Sequence, residues 1–372
     1  MHRAEVLAYR IRAQQLDRQP GARSLTDAVI FDFGIQDTGR DGASWALANR
    51  GVPVAGATEL EASFEVALAW TLRSSPHYYR RSELADVMTA TSPLSDADAS
   101  KRVFTAAGPL KAAGIGPREG LAEVAAQLRG LLTEPMAKGE VSARLTQRLA
   151  EPYLRDCGPC GTVHSHEIPF RIGALYAGLE LVPGTSPPVL RQIPDWPHRV
   201  PGPAPDPTKA PAALQPIRNY LRFLGPATPR EVATFLDAPV AEIEAYWPED
   251  AVPVDVEGRT AWWPGDAVSL GPQPALVRLL GGYDLFLQGR DRSVILPDTS
   301  RHKALWPVIG RPGAVLSGGE IVGLWRPKAA GRRFTLRLDL WSPVSKAVRT
   351  AIEAQAERLA AHRGLTLTAV ET

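Results

Sequence analysis

Residues 213–263 constrain the fold most, because helix signals and strand signals follow one another there in a fixed order. "LQPIRNYLRFLG" reads as a helix stopped by Gly225, with Ile217, Leu221 and Leu224 on one face. In "TPREVATFL", Thr228 caps, Pro229 suits the first helical position and Glu231 completes a capping box. After the break at "DAP", Val240, Ile243 and Trp247 are spaced for burial on a third helix. "VPVDVEGRTAWW" then reads as two strands joined at Glu257-Gly258. A helix, a helix-turn-helix and a β-hairpin in that order make a winged helix.

Looser versions of this unit are read upstream, over 1–82 and 83–182. In the first, Ser24 with Asp27 resembles a capping box, and Leu25, Val29 and Phe33 line one helical face. Ten of the 29 residues from Pro183 to Pro211 are proline, so 183–212 reads as an extended linker. The winged helix then occupies 213–272, and 273–372 forms a β-domain with strands at "SVILP", "GAVLSGGEIVGLWR" and "RRFTLRLDLW". Gly318-Gly319 makes a hairpin turn there. A last helix begins at Ser342-Pro343 and stops at Gly364. The fold class expected is α+β: tandem winged-helix units, a C-terminal β-domain and a terminal helix.

At 372 residues the chain suits two or three domains, or one domain built of repeated units. The longest apolar runs fall well short of a membrane span, and "MHRAEVLAYRIRAQQ" is amphipathic, so a cytoplasmic protein is expected. A net charge of +2 does not by itself announce a nucleic-acid binder. The helix that would enter a major groove carries Glu242 and Glu244, followed by Glu249 and Asp250, and carboxylates oppose phosphate. That argues for a scaffold rather than a sequence-reading regulator. Basic residues gather elsewhere: Arg73, His77, Arg80 and Arg81 with interleaved tyrosines, Arg290 with Arg292, and Arg326 with Lys328, Arg332 and Arg333. Arginine among aromatics suits backbone contact and base stacking, and also suits a solvated surface.

The two cysteines, Cys157 and Cys160, exclude a disulfide framework. "CGPCGTVHSH" holds two thiols and two imidazoles in ten residues. It reads either as a structural zinc half-site through Cys157, Cys160 and His164 or as a metal-free turn with buried thiols. "FGIQDTGRDG" sets Gln36, Asp37 and Thr38 before the helix "GASWALAN". Thr38 or Asp41 would cap that helix. If the triplet is extended, Gln36 and Thr38 face one way and Asp37 the other. A turn between Gly34 and Gly39 would bring Asp37 round.

Several stretches resemble the bacterial winged-helix DNA glycosylases, the AlkZ-like and YcaQ-like family that unhooks interstrand crosslinks. They are "RNYLRFLGPATPREVATFL", "LLGGYDLFLQGRDRSVIL", "GGEIVGLWR", "FGIQDT" and "LAWTLRSSPHYYRRSEL". The resemblance implies three winged-helix units around a concave DNA channel, and hydrolysis of the N-glycosidic bond of N7-alkylated purines. It also implies a catalytic Gln–apolar–Gln or Gln–apolar–Asp motif, whose two polar positions fall on Gln36 and Thr38. Alkylation at N7 makes the purine a cationic leaving group, so orienting a water and offsetting the oxocarbenium sugar suffice. The expected roles are Gln36 for placing water, Asp37 for activating it or stabilising the oxocarbenium, and Thr38 as an auxiliary group. His77, Arg80, Arg81, Arg290, Arg292 and Arg326 are expected along the DNA.

The partner expected is double-stranded DNA with an alkylated purine, bound by a cytoplasmic, nucleoid-associated monomer that requires no cofactor, a structural zinc being one of the two readings of the cysteine turn. The alternatives are a silent relative that binds damaged DNA and a winged-helix transcriptional regulator.

Overall fold

A computed structural model describes residues 1–21, 24–197, 205–265 and 272–372. The fold is mixed α+β. Six short strands form one antiparallel sheet in the order Ile35–Gln36, Pro76–Arg80, Val66–Trp70, Leu179–Val182, Val189–Gln192 and Met136–Ala137. Every residue of Val66–Trp70 is buried, as expected of a central strand. Helices Pro117–Leu131 and Glu167–Tyr176 share its core through Leu121, Val124, Leu128, Phe170 and Leu175.

This sheet differs from the expected division of the chain. The regions 1–82 and 83–182 contribute strands to the same sheet, so no boundary at residue 82 separates two cores. Val189–Gln192, inside the expected linker, pairs with both Leu179–Val182 and Met136–Ala137. Proline is tolerated around it because the flanking turns, not the ladder, take the prolines. Residues 198–204 of that linker lie outside the described residues. The helix expected at "SLTDAVIFDF" is instead two short 3-10 turns, Leu25–Asp27 and Val29–Asp32.

Helices Pro216–Leu224, Pro229–Leu236 and Val240–Ala245 and the hairpin Val252–Val256/Arg259–Trp263 follow in the order read from the sequence. Thr228 Oγ1 accepts from Glu231 N while Glu231 Oε2 accepts from Thr228 N, a complete capping box. Glu257 and Gly258 turn the hairpin with φ of 50° and 85°.

The C-terminal sheet has five strands in the order Val277–Leu280, Gly313–Ser317, Glu320–Ala330, Arg333–Leu340 and Thr366–Glu371, the last pair parallel. Helix Lys346–His362 buries Ile352, Ala356 and Leu359 against it and is capped by Ser345 rather than by Ser342. "SVILP", expected as a strand, is part of the helical turn Arg292–Ile295. A short apolar run does not distinguish a buried turn from a strand by periodicity.

The first helix, Arg3–Ala13, does not pack as part of an N-terminal unit. It is wedged between the C-terminal layers. Tyr9 packs against Trp263 with ring centres 4.2 Å apart and planes tilted by 39°, and Leu7 and Ile11 join Phe286 and Ile295. Its fully buried Arg10 forks onto Asp291 at 2.5 and 3.0 Å and donates to Gly225 O.

Candidate active site

Gln36 ends the edge strand Ile35–Gln36, opposite His77 in the antiparallel ladder. Gly34 starts this strand at φ 84°, and a Cβ there would run into the Tyr79 ring. The chain stays extended past the strand, with Asp37 N donating to Pro76 O at 2.9 Å. Side chains therefore alternate. Gln36 Nε2 donates to Thr38 Oγ1 at 3.0 Å, while Asp37 turns to the other face.

Asp37 does not join Gln36. Its Oδ1 accepts from Ala43 N at 3.2 Å in the first turn of helix Gly42–Ala48. Asp41, at the N-cap of that helix, pairs with Arg363 at 2.6 Å. The 910 Å³ concavity beside Asp37 is also lined by Asp41, Glu59 and Glu61. Burial, and then Glu61 and Asp41, raise the Asp37 carboxyl above its ordinary value despite the bond from Ala43. Arg40 and Arg363 also line it, but Arg363 is taken by Asp41, so among the described residues the remaining carboxylates outnumber the free cation and disfavour a polyanion.

Gln36 faces a different cavity of about 310 Å³, lined by Arg73, Asp237, Gln288, Arg290, Arg292 and Arg311 among others. Arg73 Nη2 donates to Gln36 Oε1 at 3.3 Å and to Gln288 Oε1 at 2.6 Å. The Arg73 guanidinium also lies 4.1 Å from the centre of the Phe235 ring. Arg73 and Ser74 both have positive φ, 52° and 54°, which is uncommon for non-glycine residues. Bonding fixes the Gln36 amide on both sides, leaving one N–H and one oxygen lone pair for a further partner.

Four arginines face one carboxylate, Asp237, in this cavity. Desolvation, and then Arg290, pull Arg73 down to about 10, so it remains charged at neutral pH. Desolvation also lowers Arg290 and Arg292, with Arg311 adding to both. The Nε atoms of Arg290 and Arg311 are buried without a hydrogen-bond partner. Such a surface takes an anion.

"GYDLFLQGRDR" is built to present these groups. Asp284 caps the turn Leu285–Gln288 and receives two bonds from buried Arg50 at 2.8 and 2.9 Å. Asp291 takes Arg10. With both carboxylates anchored inward, Gln288, Arg290 and Arg292 line the cavity.

The remaining expected DNA contacts divide. Arg326 is exposed beside Gly310, on a second groove shared with Thr38, Tyr283 and Arg311. Arg80 is committed to Asp32, Glu83 and two backbone carbonyls. Arg81 is tied to Glu180 at 2.9 Å and to Phe64 O and Val66 O. His77 is buried, with Nδ1 2.9 Å from Ser75 O. Burial, and then Arg73, lower it to about 3, which makes it neutral beside Gln36. Burial of His77 and the ion pairs of Arg80 and Arg81 set these three apart from the cavity arginines, and sequence spacing reports neither. Sequence reasoning did not select Arg73, Asp237, Gln288 or Arg311, which converge here from four separate segments. The signal available for Arg73 was its place in the same basic run as His77.

Cys157, Cys160 and His164 lie together on the hairpin Leu154–Cys157/Thr162–Ser165, with ligand atoms within 4.8 Å of one another. Hydrogen bonds with His164 and Cys160 draw the Cys157 thiol down to about 7.

The polar, arginine-lined cavity at the edge of one sheet has the charge to take an anion, and comparison with known proteins says which family carries it. The family described as DNA glycosylase AlkZ-like matches residues 33–362, and the chain belongs to it. The DNA glycosylase AlkZ of Streptomyces sahachiroi has a similar structure, with TM-score 0.72 over 99% of this chain and 98% of that one, at 21% identity. Among curated proteins no significant sequence match is found. The chain is a DNA glycosylase of this family, with Gln36 within the matched region.

Proposed function

We propose that the enzyme hydrolyses the N-glycosidic bond of N7-alkylated purines in duplex DNA, with Gln36 as the residue that orients the attacking water. The observation carrying this reading is the Gln36 amide, clamped by Arg73 and Thr38 at the wall of the arginine-lined cavity. Its spare donor and acceptor suit a water aimed at C1′. The C1′–N9 bond breaks first, and its electron pair neutralises the cationic purine, which leaves without protonation. Water oxygen then bonds C1′ and loses a proton to solvent, giving an abasic sugar.

The carboxylate role moves from Asp37 to Asp237. Asp237 lines the Gln36 cavity, whereas Asp37 faces the acidic concavity. Asp237 offsets the developing oxocarbenium charge, and Arg290, Arg292 and Arg311 hold the phosphates beside the lesion. An adjoining cavity of about 500 Å³ shares Arg73 and Asp237 and is lined by Trp70, Leu72, Ile172 and Tyr176. It supports accommodation of a bulky apolar adduct. The helices and hairpin of 216–263 serve as a winged-helix scaffold that presents Asp237 to the cavity from the turn between its second and third helices.

The test is single-turnover base release from duplex DNA carrying N7-methylguanine. Gln36→Ala should slow release by roughly 10²-fold, the scale of one lost orienting group. Asp237→Asn should slow it, and Asp37→Asn should leave it within about threefold, since a helix cap affects stability rather than chemistry. Equal losses in Asp37→Asn and Gln36→Ala would return the carboxylate role to Asp37. Wild-type rates in Gln36→Ala would sink the whole assignment.

A further inference from the structure

We infer that Cys157, Cys160 and His164 form a zinc site that clips the hairpin on which they sit. The segment reads C-x-x-C-G, and the fold shows why the final glycine is there. Cys157 ends one strand, and a 3-10 turn, Gly158–Cys160, brings the second thiol back toward it. Gly161 then reverses the chain at φ 62° with its N–H bonded to Cys157 O at 2.8 Å. The next strand returns His164 opposite Arg155, on the face that carries Cys157. The three ligand atoms lie within 4.8 Å of one another, about 1 Å wider than the edge of a tetrahedral zinc site, a gap that side-chain rotation closes when the ion binds. Among the described residues, no other group of three His, Cys, Asp or Glu side chains converges this closely.

A second observation is independent of the ligands. The hairpin is a separate two-stranded sheet of four-residue strands, and Cys160, Gly161, Thr162 and Val163 are exposed. Such a ribbon is marginal by itself, and here helix Lys138–Thr146 supports only its returning strand, through Thr146 Oγ1 accepting from Ser165 N at 3.1 Å, while the turn end stays exposed. Two thiolates and an imidazole select zinc over magnesium or calcium. Three protein ligands leave the fourth position to water at the exposed side, where Cys160 lies. The Arg155 guanidinium lies beside the ligands, 3.9 Å from Cys157 Sγ. None of these residues lines the Gln36 cavity, so the metal's role is structural.

The full chain, stripped of metal and titrated with Zn²⁺ or Co²⁺ under reducing conditions, tests this. About one equivalent should bind per chain, with thiolate-to-cobalt charge-transfer absorption in the near ultraviolet. Cys157→Ser and Cys160→Ser should abolish that band. His164→Gln should weaken binding beyond the roughly 10–100-fold that outer-shell partners are worth. Asp156→Asn, on the opposite face of the strand, should retain full binding. Hydrogen exchange of residues 154–165 should slow when zinc is added. Should the cysteine variants fail to fold, the wild-type cobalt spectrum and exchange measurement decide alone. Absent thiolate–cobalt absorption, or a Cys157–Cys160 disulfide in the freshly isolated protein, overturns the site.

Discussion

Charge at single residues is set here by burial more than by sequence neighbourhood. His77 sits in an arginine- and tyrosine-rich run, the setting expected of a phosphate ligand, yet its imidazole is buried beside Arg73 and held to about 3. The folded pKa therefore lies below the unfolded value of about 6.5. Between those values the unfolded chain binds the extra proton, so stability rises with pH and is fully present above about 6.5. Acidification from neutral pH to 4.5 should cost about 2–3 kcal/mol through this group. Urea denaturation of wild type and His77→Gln at pH 7.5 and 4.5 measures it. The variant should show a shallower loss on acidification. An unchanged pH slope would mean that His77 is solvated and charged in the native state.

At the scale of elements, local signals were legible and long-range ones were not. The Thr228–Glu231 capping box, the Glu257-Gly258 hairpin and the Gly318-Gly319 turn follow from residues adjacent in the chain. Alternation through residues 36–38 was legible too, because it needs only an extended backbone. The destination of the first helix was not. Arg3–Ala13 is amphipathic, but nothing local says that Arg10 crosses to Asp291 or Tyr9 to Trp263. The Arg10–Asp291 pair is bidentate and nearly dry, so breaking it leaves one uncompensated buried charge. Arg10→Met alone should lower unfolding free energy by about 3–5 kcal/mol, and Arg10→Met with Asp291→Leu should recover most of it. The single variant should also weaken DNA binding, because Asp291 stands between Arg290 and Arg292. Urea titrations of both variants decide, and a single variant within about 1 kcal/mol of wild type would contradict the pairing.

For the whole molecule, what matters is which arginines remain available to a polyanion. The chain carries a net charge of only +2, and many of its arginines are spent inside the fold. The Gln36 cavity is different, for there Arg73, Arg290, Arg292 and Arg311 face a single carboxylate. Arginines that already hold carboxylates release no DNA counterions on binding, and arginines that gain phosphates do. The dependence of DNA affinity on salt therefore separates the two sets without reference to catalysis. Arg290→Gln, Arg292→Gln and Arg311→Gln should each reduce the slope of log K against log salt by about 1. Arg80→Gln and Arg81→Gln should leave that slope at the wild-type value and lower the melting temperature instead, since Asp32 and Glu180 would each lose one of two arginine partners and keep only Arg222 and Arg191. Titrating duplex DNA between about 50 and 200 mM salt gives the slopes directly. A slope lowered by Arg80→Gln as much as by Arg290→Gln would put the DNA on the opposite side of the sheet. It would then run past the acidic concavity beside Asp37, where phosphate is least favoured.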